Sequence, residues 1–177
     1  FTYTPALGTT LAAGAHTLRA TFTPTDAANY SSVEATATLT VEKATPAITW
    51  ETPSAITYGT KLGDAQLGAT ADVEGAFTYS PALGATLAAG EHTLKATFTP
   101  TDATNYSSVE ATATLTVKKA TPATTWKAPS AITYGTALGN AQLSATADVE
   151  GTFSYAPALG TTLTAGTHTL KATFTPT

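Results

Sequence analysis

Cysteine and methionine are both absent from the 177 residues. Without cysteine there is no disulfide framework, no thiolate metal site and no thiol chemistry. Charge is thin as well: Asp, Glu, Lys and Arg make up 11% of the chain, the net charge is −4 and the pI is near 5.2. A nucleic-acid partner demands a clustered basic face, and an anionic membrane surface demands a polybasic one. Neither pattern is present, so no nucleic-acid partner and no membrane insertion are expected. No stretch approaches the roughly 20 apolar residues of a transmembrane helix. No signal peptide opens the chain, which starts at Phe1, and an internal window of a longer polypeptide is expected.

What the sequence has in excess is threonine, about a quarter of all residues, while alanine supplies much of the 42% hydrophobic share. β-Branched side chains are stiff at χ1 and fit a pleated surface, so the composition leans all-β. The sequence also repeats. Phe77-Thr78-Tyr79-Ser80-Pro81-Ala82-Leu83-Gly84 has counterparts at Phe1–Gly8 and Phe153–Gly160, and the step from Phe1 to Phe77 equals the step from Phe77 to Phe153. Trp50 returns as Trp126, and Tyr58-Gly59-Thr60 as Tyr134-Gly135-Thr136, at the same step and with no gap. Residues 44–119 are read as one complete repeat, 1–43 as the C-terminal part of a preceding one and 120–177 as the N-terminal part of the next. An incomplete sandwich exposes sheet edges, which invites aggregation. The end units are therefore expected to be completed by further chain or by neighbouring chains. Val33–Val41 supplies the strand that the third unit lacks, so one chain can donate it to the next by strand addition. In that arrangement Phe1–Thr25 duplicates Phe153–Thr177.

Within one repeat, short alternating runs are separated by Gly, Pro and Asp at the spacing of a sandwich. Leu94, Ala96 and Phe98 alternate with Thr93, Lys95 and Thr97. Beyond the turn Pro100-Thr101-Asp102, Val109, Ala111, Ala113, Leu115 and Val117 alternate with Glu110, Thr112, Thr114, Thr116 and Lys118. This period of two marks strands with one buried face. Further strands are predicted at Ala47–Trp50, Ile56–Tyr58, Gln66–Ala71 and Ala76–Tyr79, with a loose turn over Leu83–Gly90. The predicted core anchors are Trp50, Tyr58, Leu67, Phe77, Tyr79, Leu94, Phe98, Tyr106, Leu115 and Val117. The joints Lys43-Ala44-Thr45-Pro46-Ala47 and Lys119-Ala120-Thr121-Pro122-Ala123 carry a proline that fixes its own φ and extends the residue before it. Such short joints predict a stiff array.

The run Gly90-Glu91-His92-Thr93-Leu94-Lys95-Ala96-Thr97-Phe98-Thr99-Pro100-Thr101-Asp102-Ala103-Thr104-Asn105-Tyr106, followed by Leu115-Thr116-Val117, resembles the ending of bacterial Ig-like repeat domains. The resemblance extends over the whole repeat at 44–119 and so over the chain. It implies an all-β fold of tandem immunoglobulin-like antiparallel β-sandwich modules, each the length of that repeat. It also implies a place in long arrays of secreted or surface-attached bacterial proteins, adhesins among them. A secreted eukaryotic Ig domain usually carries an inter-sheet disulfide; its absence here fits a bacterial surface protein. Pro100-Thr101 stands before Asp102 where many relatives have glycine, which alters the turn rather than the fold.

Few residues invite chemistry. His16, His92 and His168 are one position in three copies, expected to serve strand starts rather than a metal. Asp26 and Asp102, in the turns before Asn29-Tyr30 and Asn105-Tyr106, are expected to accept backbone hydrogen bonds in Asx-turns. The alternative, weak calcium binding, wants six to eight oxygen ligands that a lone carboxylate does not supply. Asp72 with Glu74, and Asp148 with Glu150, look like paired carboxylates for glycoside cleavage, but they flank a turn at Val73–Gly75 and read as a solvated loop. Asn29-Tyr30-Ser31 and Asn105-Tyr106-Ser107 match the N-glycosylation sequon, and the threonine-covered faces offer sites for O-linked sugar. Lys61 and Gln66 are candidates for a side-chain cross-link, but Lys61 becomes Ala137 in the next copy. No catalytic, cofactor-binding or metal residue is expected, and an enzyme is not.

Repeats that differ only at scattered positions, such as Ile48 against Thr124, Glu51 against Lys127 and Glu91 against Thr167, share a scaffold and single out no one copy for a site. The expectation is a stiff stalk or filament outside a bacterial cell, its partners being neighbouring modules or identical chains. The alternatives are an adhesive module for surface carbohydrate, with Tyr30, Tyr106 and Trp126 as the candidate exposed rings, and a fibre subunit assembled by strand complementation.

Overall fold

Alternation of threonine with apolar residues decides where the long strands form. A computed structural model describes residues 1–177, and the chain is all-β, with thirteen strands and no helix. It divides into two compact units, 1–119 and 120–177.

The first unit opens with β1 (Thr2–Thr4), β2 (Gly14–Phe22) and β3 (Val33–Val41), an antiparallel sheet in that order. It continues through β4 (Ile48–Thr49), β5 (Ile56–Thr57), β6 (Thr70–Ala71), β7 (Gly75–Ser80), β8 (Gly90–Pro100) and β9 (Val109–Lys118). Four of these form a sheet ordered β5-β9-β8-β7, antiparallel except that β5 runs parallel to β9. The β8–β9 ladder runs from Gly90 opposite Val117 to Phe98 opposite Val109. β4 and β6 pair separately, with Ile48 opposite Ala71.

The core lies on one face of the four-stranded sheet. Leu94 and Leu115 are fully buried, and Val117, Leu62 and Leu67 close around them. Trp50, Ile56, Tyr79, Ala85 and Leu87 pack against this cluster. Thr93, Lys95, Thr112, Thr114 and Thr116 stay exposed on the other face, so one face of the hairpin is wet. Two sheets with apolar side chains between them are consistent with a β-sandwich.

Two expectations are corrected, and one core residue is added. Tyr58 is 55% exposed: its amide donates to the Lys118 carbonyl at 2.8 Å, and the chain then turns, Thr60 N–H reaching the Thr57 carbonyl. The ring is therefore carried off the core face after Ile56. The stretch Gln66–Ala71 is a strand only at Thr70–Ala71. Gln66 and Leu67 both donate their amides to the Gly63 carbonyl, and the Gln66 side chain accepts the Gly63 amide at 3.1 Å, tying the segment into a turn. Leu62, in none of the alternating runs, is buried within the core. It sits there because its amide donates to the Ala85 carbonyl and its carbonyl accepts from Gly84.

The second unit holds β10 (Thr124–Thr125), β11 (Thr146–Ala147), β12 (Gly151–Ala156) and β13 (Lys171–Pro176). Its pairings reproduce those of the first unit one repeat further on: Phe153 faces Phe174 as Phe77 faces Phe98, and Thr124 faces Ala147 as Ile48 faces Ala71. Gly166–Leu170, the counterpart of the first half of β8, is outside any strand.

Candidate functional site

The corner between β8 and β9 gathers most of the polar geometry. Asp102 ends the turn after Pro100. Its Oδ1 accepts the backbone N–H of Thr104 and of Asn105, each at 3.1 Å, and its Oδ2 accepts the Asn105 side-chain amide at 2.7 Å. The Tyr106 amide donates to the Asp102 carbonyl at 3.1 Å, closing the turn. This is the expected Asx-turn, extended by a side-chain pair. The Asn105 side-chain amide, then its backbone N–H, hold the Asp102 carboxyl below its ordinary value of 3.8, with the Lys43 charge adding to the effect. Asp26 and Asn29 repeat the arrangement, at 3.2 Å to the Asn29 amide and 2.9 Å to its side chain. The Asn29 bonds lower the Asp26 carboxyl in the same way.

The corner also grips the joint that leads into its own module. Ala44 N–H donates to the Asn105 carbonyl at 2.8 Å, and Ser107 N–H donates to the Ala44 carbonyl at 2.9 Å. Ala44 and Tyr106 thus pair as a short parallel bridge. Lys43 Nζ reaches the Ala103 carbonyl at 2.5 Å, and the Ser107 hydroxyl lies 3.3 Å from the Ala44 carbonyl. A few residues on, Ala47 and Asp72 exchange two bonds, one to the Asp72 carboxylate at 2.9 Å and one between backbones at 3.2 Å. Ala123 and Asp148 do the same at 2.9 and 3.1 Å. Asp72 and Asp148 lie exposed in the loop expected of them, and there each also staples the chain entering its module. The signal was present in the equal spacing of alanine and aspartate in both copies, but nothing in either residue announces it.

The histidines act locally. His16, His92 and His168 each place Nε2 against the carbonyl four residues earlier, Ala12 at 2.6 Å, Ala88 at 2.8 Å and Thr164 at 2.8 Å. The ring thereby pins the loop that enters its strand. No three histidine, aspartate or glutamate side chains come together in a group able to hold a metal ion. Gln66 and Gln142 spend their side-chain oxygens on Gly63 and Gly139, while Lys61 pairs through its backbone with Thr86.

Among the aromatic candidates, Tyr30 is 67% exposed, Tyr106 is half-buried in the corner, and Trp126 is half-buried. The Trp126 indole donates to the Gln142 carbonyl at 3.1 Å and meets Tyr155 edge-on with centroids 5.5 Å apart. That is the setting of Trp50 against Gln66 and Tyr79, so Trp126 belongs to a core position rather than a binding face. Exposed rings that sequence reading missed include Tyr58 and Tyr134, one position in two copies, as well as Phe1 and Tyr3.

No protein-family model, no curated protein and no solved structure matches the chain.

Proposed function

We propose that this chain is a non-catalytic structural stretch of a bacterial surface protein, built of tandem immunoglobulin-like modules that form a stiff extracellular stalk or fibre. The observation that carries the reading is the fastened joint. Lys43, Ala44 and Ala47 are each bonded to the module that follows them, through Ala103, Asn105, Ser107 and Asp72. A joint with its backbone groups spent in this way lacks the freedom of a Gly/Ser linker. The repeated registers and the recurrence of the same small polar contacts in each copy support a scaffold multiplied for length.

Small-angle X-ray scattering on a chain of three complete modules tests this. A rod that lengthens by about 30–40 Å per module, the span of strands of about ten residues, is expected. A compact or freely jointed particle would replace the stalk with a string of independent binding modules.

A further inference from the structure

The corner touches a second partner besides its own joint. Asn105 Oδ1 accepts the backbone N–H of Ala13 at 2.8 Å, across 92 residues of sequence. Ala13 belongs to the loop Leu11-Ala12-Ala13-Gly14 that leads into β2, and so to the preceding repeat. The Asn105 side chain is thus used at both ends: its N–H2 is anchored on Asp102 of its own module, and its oxygen holds the neighbour. Thr10, Leu11, Val41 and Glu42 of the earlier repeat line the same cleft with Asp102 and Tyr106 of the later one.

Both halves of this contact recur. The loop returns as Leu87-Ala88-Ala89-Gly90, with glycine at φ +139° where Gly14 has +131°. His92 ties it back through the Ala88 carbonyl, as His16 does through Ala12. The corner returns as Asp26–Asn29, with the same carboxylate–amide bond and no partner in the chain on the Asn29 side-chain oxygen.

We propose that the Asp-x-x-Asn-Tyr corner is a module-docking site whose ligand is the Leu-Ala-Ala-Gly loop of another copy of the module, with Asn105 as the positioning residue. Loop and corner lie on different surfaces of one repeat, so the contact is heterologous and propagates head to tail instead of closing. Asn29 is the site for a copy on one side, and Ala88–Gly90 is the ligand for a copy on the other. The inference rests on the stalk reading and supplies the contact that would hold its modules in line.

The chain has no cysteine, so Thr38→Cys and Thr114→Cys, both on exposed faces, give a unique pair of spin labels for pulsed dipolar distance measurement on the full chain. A single narrow distance is expected. Asn105→Ala and, independently, Ala13→Pro should each broaden that distribution about twofold or more, because each lets a minor orientation become populated. Ala13→Pro removes the donated N–H and fixes the loop backbone at residue 13, so it acts from the loop side and alters no residue of the corner. If Asn105→Ala unfolds its module, as circular dichroism would reveal, Ala13→Pro decides alone. A narrow distance that Ala13→Pro leaves unchanged overturns the docking site while the stalk stands. A broad distance in the chain that keeps Asn105 and Ala13 overturns the stalk reading and the docking site with it.

Discussion

At the scale of single residues, the corner aspartates set a pH dependence. The Asp102 carboxyl is held below 3.8 in the folded chain by the Asn105 side chain first and its backbone amide second. A carboxyl whose pKa is lowered by folding stabilises the fold above its unfolded value, and the contribution disappears as pH falls through the lowered value. Asp102→Asn should therefore lower the melting temperature at neutral pH, and the gap from the unaltered chain should close below about pH 4, near the ordinary carboxylate pKa. Thermal melts of both proteins at neutral and acid pH check this; a gap that persists in acid removes the carboxylate from the account. The Asx role of Asp102 was legible because a short acceptor in a Pro-Thr-Asp turn has few other uses. That of Asp72 was not, because its partner is a backbone amide in the joint, and Ala47 has no side-chain chemistry to betray it.

At the scale of elements, the β8–β9 hairpin could be read from its period of two, and Leu94, Phe98, Leu115 and Val117 are buried as that period demands. The short strands could not be read to length. β4, β5 and β6 have two residues each because the flanking backbone is claimed by turns, by the Gln66 side chain and by the joint. The close fit of β7 to β8 supplies a test. A Cβ placed on Gly75 would strike the Phe98 ring and lie 2.5 Å from the Thr99 carbonyl oxygen, a backbone atom that cannot step aside. Gly75→Ala should destabilise the module by about 1–3 kcal/mol, the usual range for overpacking. Gly63→Ala, whose Cβ would meet only the Gln66 side-chain oxygen at 3.9 Å, serves as the mild comparison. Urea titration of the two variants should separate them clearly, and equal midpoints would mean that β7 shifts to make room.

At the scale of the whole chain, the same sequence meets different surroundings. Gly90–Leu94 and Gly166–Leu170 differ only at Glu91 and Thr167. The first segment lies in the ladder with Ala113–Val117, and the second is unpaired. Amide exchange should accordingly run about a hundredfold or more slower over 90–94 than over 166–170, as expected where opening must break a ladder. Peptide-level exchange by mass spectrometry resolves the two, and similar rates would show that 166–170 finds a partner in solution.

The strands of the first unit carry a last consequence. β3 is Val-Glu-Ala-Thr-Ala-Thr-Leu-Thr-Val, and β9 is the same run with Lys118 added at its end. β8 therefore has two equivalent mates, and side-chain identity cannot tell it which to take. The choice falls to connectivity: residues 101–108 separate β8 from β9, whereas 42–89 separate it from β3, a loop about sixfold longer. On loop-closure entropy alone that difference favours the adjacent strand by about 1.5 kcal/mol. Fidelity of assembly in so uniform a chain is thus written in the brevity of its corners, and lengthening a corner would erode it without changing a single core residue.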